Sequence, residues 1–314
     1  MTETLPLTRD DVLHAAEVVR GRLHRTPVFS ARGVRPGLSL KAELFQRTGS
    51  FKPRGVLNKL ASLSDEERAR GVIGVSAGNH AQALAWAAAD EGIDALLVMW
   101  RDASPAKVAA TRGYGAAVDL EATGPGDAFE RLRLLERETG RVFVHPFDDP
   151  LVLAGQGTVG LEILEDVPDA DTVVVPAGGG GLVSGIAMAC VPAGVRVVAV
   201  EPELSTALHD GLEAGEPVRV TPSSVADGLS APFAGDLPIA VCRALGVEVV
   251  LVSEEELHDA FRVLYERAKL AAEPAAAVAL AAVLAGKVEG DRIVAVVSGG
   301  NVDAQTASAI LAAR

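Results

Sequence analysis

The sequence has little of what staples, chelates or membrane anchors require. Cysteine occurs twice in 314 residues, as Cys190 and Cys242, which fits neither a disulfide framework nor a metal knuckle. Cys190 follows Ile186, Ala187 and Met188 in a helix-like run, so a buried, inert thiol is expected there. Aromatic residues make up only 4 % of a chain that is 49 % hydrophobic. The core must therefore be built from Val, Leu, Ile and Ala, a composition suited to buried parallel strands covered by helices. Positive charge is also scarce: 29 Lys and Arg face 42 Asp and Glu, for a net charge of −13. That balance speaks against nucleic acid and anionic membrane as partners and favours solubility. No apolar run approaches a membrane span, and MTETLPLTRDD contains no basic-plus-apolar leader, so a cytoplasmic protein is expected.

What is present is a repeating strand–helix pattern with short connections, long enough for two domains or one large α/β domain. Thr8-Arg9-Asp10-Asp11 reads as a capping box opening a helix with Val12, Ala15, Val19 and Leu23 on one face. Leu38, Leu40, Ala42 and Leu44 alternate with Ser39, Lys41 and Glu43, the pattern of a half-buried strand. From Gly71 the order becomes strand 72–75, helix 80–91, strand 95–99, helix from Ser104-Pro105 to Gly113, strand 116–120, helix 127–139 and strand 142–144. His145 to Pro150 is a turn-rich break and candidate hinge. A second series follows, with strands 172–175, 195–200, 247–252 and 293–297 and helices near 156–166, 181–190, 204–213, 254–269 and 274–286, the last beginning near Asp303. Two α/β units with a ligand cleft between them account for this pattern.

Three stretches carry chemistry. In Thr48-Gly49-Ser50-Phe51-Lys52-Pro53-Arg54-Gly55, Pro53 suits a first helical position, which puts Lys52 at the mouth of a helix beside Phe51. A lysine against an apolar wall sheds its proton more easily and becomes a nucleophile. Gly178-Gly179-Gly180-Gly181 lies between a strand and a helix, where four missing Cβ atoms let backbone N–H groups crowd around a phosphate. Ser298-Gly299-Gly300-Asn301 closes the last strand, and a serine at a carboxyl strand end faces the ligand crevice of a doubly wound sheet. Two competing readings arise from neighbouring residues. A nicotinamide oxidoreductase would use Glu201 as its ribose-binding acid, but the third fingerprint position counted from Gly179 is Ser184, and Lys52 is left without a task. Gly74-Val75-Ser76-Ala77-Gly78 has the form of a hydrolase nucleophile elbow, with His145, His209 or His258 in the right order for a triad, but no His–Gly oxyanion stretch precedes it.

Together TGSFKPRG, SAGNHAQAL, AGQGT, PAGGGGL, VEP, VADGL, AEPAAA and SGGN occur in the order found in pyridoxal-phosphate enzymes of fold type II. Over nearly its whole length the chain resembles the threonine/serine dehydratases and serine racemases of that tryptophan synthase β-like group. No regulatory extension follows the last helix, which is similar to the short, catalytic-domain-only dehydratases. The resemblance implies an α/β fold of two three-layer αβα domains with the cofactor in the cleft, a large domain of 1–64 plus 148–314 and a small one of 71–147. It implies that Lys52 forms the Schiff base with pyridoxal 5′-phosphate, Phe51 backs the ring and Asn79 bonds its 3′-oxygen. Gly178, Gly179, Gly180, Gly181 and Leu182 would bind the phosphate and Ser298 the pyridine nitrogen. Ser76, Ala77, Gly78, Asn79 and His80 would form the loop that grips the substrate carboxylate.

The activity so implied is conversion of L-threonine to 2-oxobutanoate and ammonia, or of L-serine to pyruvate and ammonia, with the freed Lys52 amine as base. A serine, unlike a carboxylate, does not keep the pyridine nitrogen protonated, which favours prompt loss of the β-hydroxyl. Racemisation, or dehydration of a related hydroxy-amino acid such as a 3-hydroxyaspartate or a hydroxyectoine-derived compound, is the alternative. Ala77 stands where racemases resemble one another in a proton-donating serine. Glu201 and the carbonyl of Ser205 match metal ligands of the racemases, so a monovalent or divalent cation is an expectation, weakened by Ala207 in place of a further acid; a cap on the helix that follows is the other task open to Glu201. The family is usually dimeric or tetrameric, implying a homodimer or homotetramer. Intact Lys52 argues against a non-catalytic sensor. Trp100 stands out at a strand end where a small residue is usual.

Overall fold

The computed structural model describes Leu5 and residues 7–313. Ten strands, among the described residues, fall into two sheets: β1 (Val28–Ser30), β2 (Leu38–Ala42), β3 (Val72–Val75), β4 (Ala95–Trp100), β5 (Ala117–Ala122), β6 (Val142–Phe143), β7 (Thr172–Pro176), β8 (Arg196–Pro202), β9 (Glu248–Val252) and β10 (Ile293–Val297). The larger sheet runs β1-β2-β10-β7-β8-β9 and the smaller β5-β4-β3-β6. All neighbours are parallel except the short edge strand β1, which pairs antiparallel with β2.

Strand periodicity explains the layering. Val173, Val175, Val197, Ala199, Val294 and Val296 point to one face of the larger sheet, where they meet helices Arg9–Val19, Pro150–Asp166, Gly181–Cys190 and Asp236–Ala244. Their alternates Val174, Val198, Val200, Ile293, Ala295 and Val297 point to the other face, under helices Glu254–Val263, Pro274–Leu284 and Ala304–Ala312. A strand buried on both faces cannot alternate in polarity, hence the continuous aliphatic runs. The smaller sheet repeats the arrangement, with Val72, Ala95, Leu97 and Met99 toward helix Asn79–Asp90, and Ile73, Val75, Val98 and Ala122 toward helix Pro125–Thr139. The fold is α/β with two three-layer αβα units, as expected of a type II pyridoxal-phosphate enzyme.

Several elements depart from the sequence expectation. The helix placed near 156 begins at Pro150, capped by the Asp149 carboxylate on the N–H groups of Leu151 and Val152. Its Gly155, Gly157 and Gly160 let it close against backbone and side chains of neighbouring helices. The turn-rich hinge is therefore confined to 145–149. Helix Asp236–Ala244 and strand β1 were not foreseen, and the helix expected at 204–213 starts at Ala207. The helix expected over 254–269 is α-helical to Val263 and widens into a π turn over Leu264–Ala268. The largest departure concerns β2. Lys41 and Glu43 do not face solvent; both are wholly buried, beside Arg54 and Glu162.

Candidate active site

The carboxyl ends of β2, β3, β7 and β10 converge on the cleft between the sheets, where ligands of parallel α/β sheets bind. The lysine stretch is sewn to the end of β10. Ser50 pairs with Gly299, Phe51 N–H donates to the Ser298 carbonyl at 3.2 Å, and Gly300 N–H donates to the Gly49 carbonyl at 2.9 Å. Thr48 and Gly49 turn the chain with φ of 59° and 74°, a conformation costly for a β-branched residue and tolerated where surrounding bonds enforce it. Pro53 opens helix Pro53–Ala61, and Lys52 is its N-cap. The Lys52 Nζ lies 5.1 Å from the Phe51 ring centroid and donates to the Pro146 carbonyl at 2.9 Å. Burial pulls its pKa down to about 8, against the opposing charge of Glu273. A substantial neutral amine fraction near neutrality follows, which a nucleophile or base needs.

Across the cavity, Gly178 to Gly181 run into the N-terminus of helix Gly181–Cys190. A Cβ at Gly178 would meet the Leu229 carbonyl oxygen at 2.8 Å, one at Gly179 would enter the Phe147 ring, and Gly180 has φ of 89°. The loop thus has no room for side chains, and its N–H groups stay open to an anion at a positive helix end. Gly179→Ala is expected to abolish phosphate capture while displacing Phe147; a cofactor titration by absorbance checks it, and retained wild-type affinity would contradict it.

The third wall is the turn from β3 into helix Asn79–Asp90. Ser76 Oγ accepts the Gly78 N–H at 3.0 Å, and the N–H groups of Asn79 and His80 lie in the first turn of the helix. The His80 ring points away, its Nε2 2.9 Å from the Val144 carbonyl. Burial, then the nearby Lys52 charge, push its pKa down to about 3, so the ring is neutral and Nε2 is the donor to that carbonyl. Its backbone, not its imidazole, is what the turn offers a carboxylate.

Asn79 is held on both sides. Its Nδ2 donates to Glu273 Oε1 at 2.7 Å, and its Oδ1 accepts from Asn301 Nδ2 at 2.8 Å. His145, two residues before Phe147, spends Nδ1 on the backbone N–H groups of Phe147 and Asp148, at 3.3 and 2.8 Å. It thereby shapes the turn that carries the Pro146 carbonyl. Burial lowers the His145 pKa to about 3, below the ordinary 6.5. The unfolded chain therefore binds the extra proton between those values, and stability falls as pH drops from 6.5 toward 3. His145→Asn is expected to flatten this part of a melting-temperature profile; a profile identical to wild type would contradict the assignment.

These walls enclose a cavity of about 380 Å³ lined by Phe51, Lys52, Ser76 to His80, Gly178 to Leu182 and Ser298. Trp100, Phe129 and Phe147 add aromatic surface, which accounts for Trp100: it ends β4 after a register shift and lines the cavity. Sequence reasoning missed Glu273, Lys107, Asp227 and Pro146. Glu273 sat within a quoted motif, yet nothing local marks a residue preceding a helix-starting proline as buried.

Glu201 and Ser205 lie outside this lining. The Glu201 carboxylate is buried and caps helix Ala207–Ala214, accepting the N–H groups of Leu208 and His209 at 2.8 Å each, while Ser205 Oγ donates to the Leu229 carbonyl. With both oxygens so engaged, Glu201 is not placed to read a ribose. Among the described residues no hydrolase triad assembles either: Ser76 Oγ accepts the Gly78 N–H, and none of His145, His209 and His258 bonds Ser76.

The sequence pattern of the family described as pyridoxal-phosphate dependent enzyme matches residues 19–299. The chain belongs to that family. It is similar to an L-threonine ammonia-lyase of Thermotoga maritima, 45 % identical over 95 % of this chain and 76 % of that one. It is also similar to the L-threonine dehydratase catabolic TdcB of Escherichia coli, 40 % identical over 99 % of this chain and 98 % of the relative. The solved structure of maize serine racemase superposes with a TM-score of 0.90 at 37 % identity, covering 96 % of this chain and 95 % of that one.

Proposed function

We propose that this chain is a threonine/serine ammonia-lyase, converting L-threonine to 2-oxobutanoate and ammonia and L-serine to pyruvate and ammonia. The observation that carries the reading is a lysine with a lowered pKa opening on the same cavity as a side-chain-free glycine cradle. The cradle fits the phosphate of pyridoxal 5′-phosphate, because Leu229 and Phe147 press so closely on Gly178 and Gly179 that no side chain fits there and backbone N–H groups are what the run offers an anion. When bound, the cofactor supplies an aldehyde for the substrate amine and an electron sink for the α-carbon.

In this reading Gly178 to Gly181, with Leu182, hold the phosphate, Asn79 donates to the ring oxygen and Phe51 packs behind the ring. Ser298 meets the ring nitrogen with a hydroxyl that leaves it unprotonated. Ser76 and Gly78 would shape the loop, and the N–H groups of Asn79 and His80 would hold the substrate carboxylate at the positive helix end. Lys52 Nζ takes the α-proton, with the Pro146 carbonyl as its resting partner. Trp100, Phe129 and Phe147 give the cavity an apolar side that suits a methyl substituent.

Two features bear on the alternatives. Among the described residues, the only cationic side chains lining the cavity are Lys52 and Lys107, and Lys107 is paired with Asp227. A second carboxylate, as on a 3-hydroxyaspartate, would meet no free cation and would face Asp102, Asp227 and Glu273. Ala77 has no proton to give to the opposite face of a substrate, which supports elimination over racemisation.

The same reading includes a large domain of 1–64 plus 148–314 and a small one of 71–147, supported by the smaller sheet lying wholly within 72–143. It includes a homodimer or homotetramer in the cytoplasm; no helix among the described residues is long and apolar enough to cross a membrane. A cation at Glu201 and the carbonyl of Ser205 belongs to the same reading; each Glu201 oxygen accepts one N–H, from Leu208 and His209, and keeps a further acceptor site. Purified protein given a panel of hydroxy-amino acids is expected to release ammonia fastest from L-threonine. A visible cofactor band with inert L-threonine and L-serine would overturn the substrate, and no band after adding pyridoxal phosphate would overturn the whole reading.

A further inference from the structure

Glu273 lines the cavity yet is 4 % exposed. No task in the proposed reaction falls to it. It precedes helix Pro274–Leu284, and its own N–H donates to the Gly299 carbonyl at 3.1 Å, which ties it to the loop after β10. Its Oε1 accepts the Asn79 Nδ2 hydrogen at 2.7 Å.

The bonds beyond Asn79 fix which way that amide faces. The carbonyl of Thr48 can only accept, so Asn301 must present Nδ2 to it, at 2.8 Å. The same Nδ2 reaches Asn79 at 2.8 Å and donates there too, which requires Oδ1 of Asn79 on that side. Nδ2 of Asn79 must then face Glu273, an oxygen acceptor. One Nδ2 hydrogen goes to Glu273 and the other remains for the cavity. The relay from Thr48 through Asn301 and Asn79 to Glu273 thus joins the lysine stretch, the loop after β10 and the helix that follows β3.

We propose that Glu273 is a positioning residue that holds Asn79 as a hydrogen-bond donor toward the cofactor ring. The charged groups around it are few. Lys52 comes from the lysine stretch, Lys107 from helix Pro105–Gly113 and Asp227 from the single turn Asp227–Leu229 between helices Ala207–Ala214 and Asp236–Ala244, and all three line the same cavity. Burial and the Asp227 charge raise the Glu273 pKa to about 7, and Glu273 in turn raises that of Lys52. The carboxyl therefore changes charge near neutrality, where the lysine nitrogen feels it. Asp102 also lines the cavity, and the His80 ring beside it stays neutral.

The inference rests on the family's cofactor and on Asn79 meeting it, and its test separates it from the choice of substrate. In the loaded enzyme the visible band of the bound cofactor is titrated with pH for wild type, Glu273→Gln and Glu273→Asp, and kcat for L-threonine is measured with and without Asn79→Ala. Glu273→Gln keeps the shape and removes the charge, so the midpoint of the band should move to lower pH. Glu273→Asp keeps the charge and withdraws it from Asn79, so the midpoint should stay while kcat falls about tenfold to a hundredfold. Adding Asn79→Ala to Glu273→Asp should cost no more than Asn79→Ala alone, because both remove one interaction. An unmoved midpoint in Glu273→Gln, or losses that add, would overturn the assignment. If L-threonine proves inert, the band midpoints still decide it while the substrate reading fails separately.

Discussion

Lys52→Ala should abolish ammonia release from L-threonine, with a loss of about 10⁴-fold or more, while the protein stays folded. Two functions disappear together: the amine that anchors the cofactor and the base that takes the α-proton. The fold survives because Lys52 contributes little to packing beyond its stem. It caps helix Pro53–Ala61 without a side-chain cap bond, and its Nζ has one protein partner, the Pro146 carbonyl. Removing it even relieves a cost. In the chain without cofactor the Lys52 pKa is about 8 against an ordinary 10.5. The unfolded state therefore holds the proton more firmly between these values, and wild-type stability rises with pH across that window. In Lys52→Ala that rise should be missing. The measurements are a coupled assay for 2-oxobutanoate, the visible spectrum after adding pyridoxal phosphate, and melting temperature against pH. Turnover within about tenfold of wild type would remove Lys52 from the chemistry.

How far the sequence announced this site depends on the range of the interaction. Lys52, the glycine run and Ser298 each sit where a strand or loop passes into a helix, and there Gly and Pro leave a local signature that short-range rules can read. The strands of both sheets other than β1 were legible for the same reason, as short aliphatic runs between turns. The helix beginning at Pro150 was placed late because its glycines look like breakers until the partner helices are known. Glu273 and Asn301 meet Asn79 from 194 and 222 residues away, and no local pattern encodes such a meeting. Glu201 is legible only as alternatives: its spacing after the glycine loop imitates a ribose-binding acid, while its carboxylate closes over the helix end that follows, the cap the sequence also allows.

The alternation of Lys41 and Glu43 with aliphatic residues misled for a further reason, and it leads to the largest stability effect expected of this chain. Alternation says which residues share a face, not whether that face meets water. Here it meets Arg54, which is 1 % exposed and two residues beyond Lys52. Arg54 binds Glu43 with two bonds of 2.8 Å and Glu162 with bonds of 2.8 and 2.9 Å, and donates to Thr158 Oγ1 at 3.0 Å. Lys41 completes the set, donating to Glu162 at 2.5 Å and to the Thr26 carbonyl at 2.8 Å. Burial works against the Arg54 charge, yet Glu43 and Glu162 hold its pKa well above the ordinary guanidinium value.

Such a cluster adds little net stability over an apolar one, but removing a single member leaves the others charged and unpaired in the interior. Arg54→Met should therefore cost about 3–5 kcal/mol of unfolding free energy. Arg54→Lys should recover only part of it, since an ammonium cannot reproduce the two-sided fork. Because the cluster clamps helix Pro53–Ala61 to β2 and to helix Pro150–Asp166, any folded Arg54→Met protein should also show a displaced lysine and a weakened cofactor band. The paired change Arg54→Met with Glu43→Leu should regain stability relative to Arg54→Met alone, because it removes one stranded carboxylate. Urea unfolding of the four proteins decides the matter. If Arg54→Met lies within about 1 kcal/mol of wild type, the carboxylates do not depend on it and the clamp is not electrostatic.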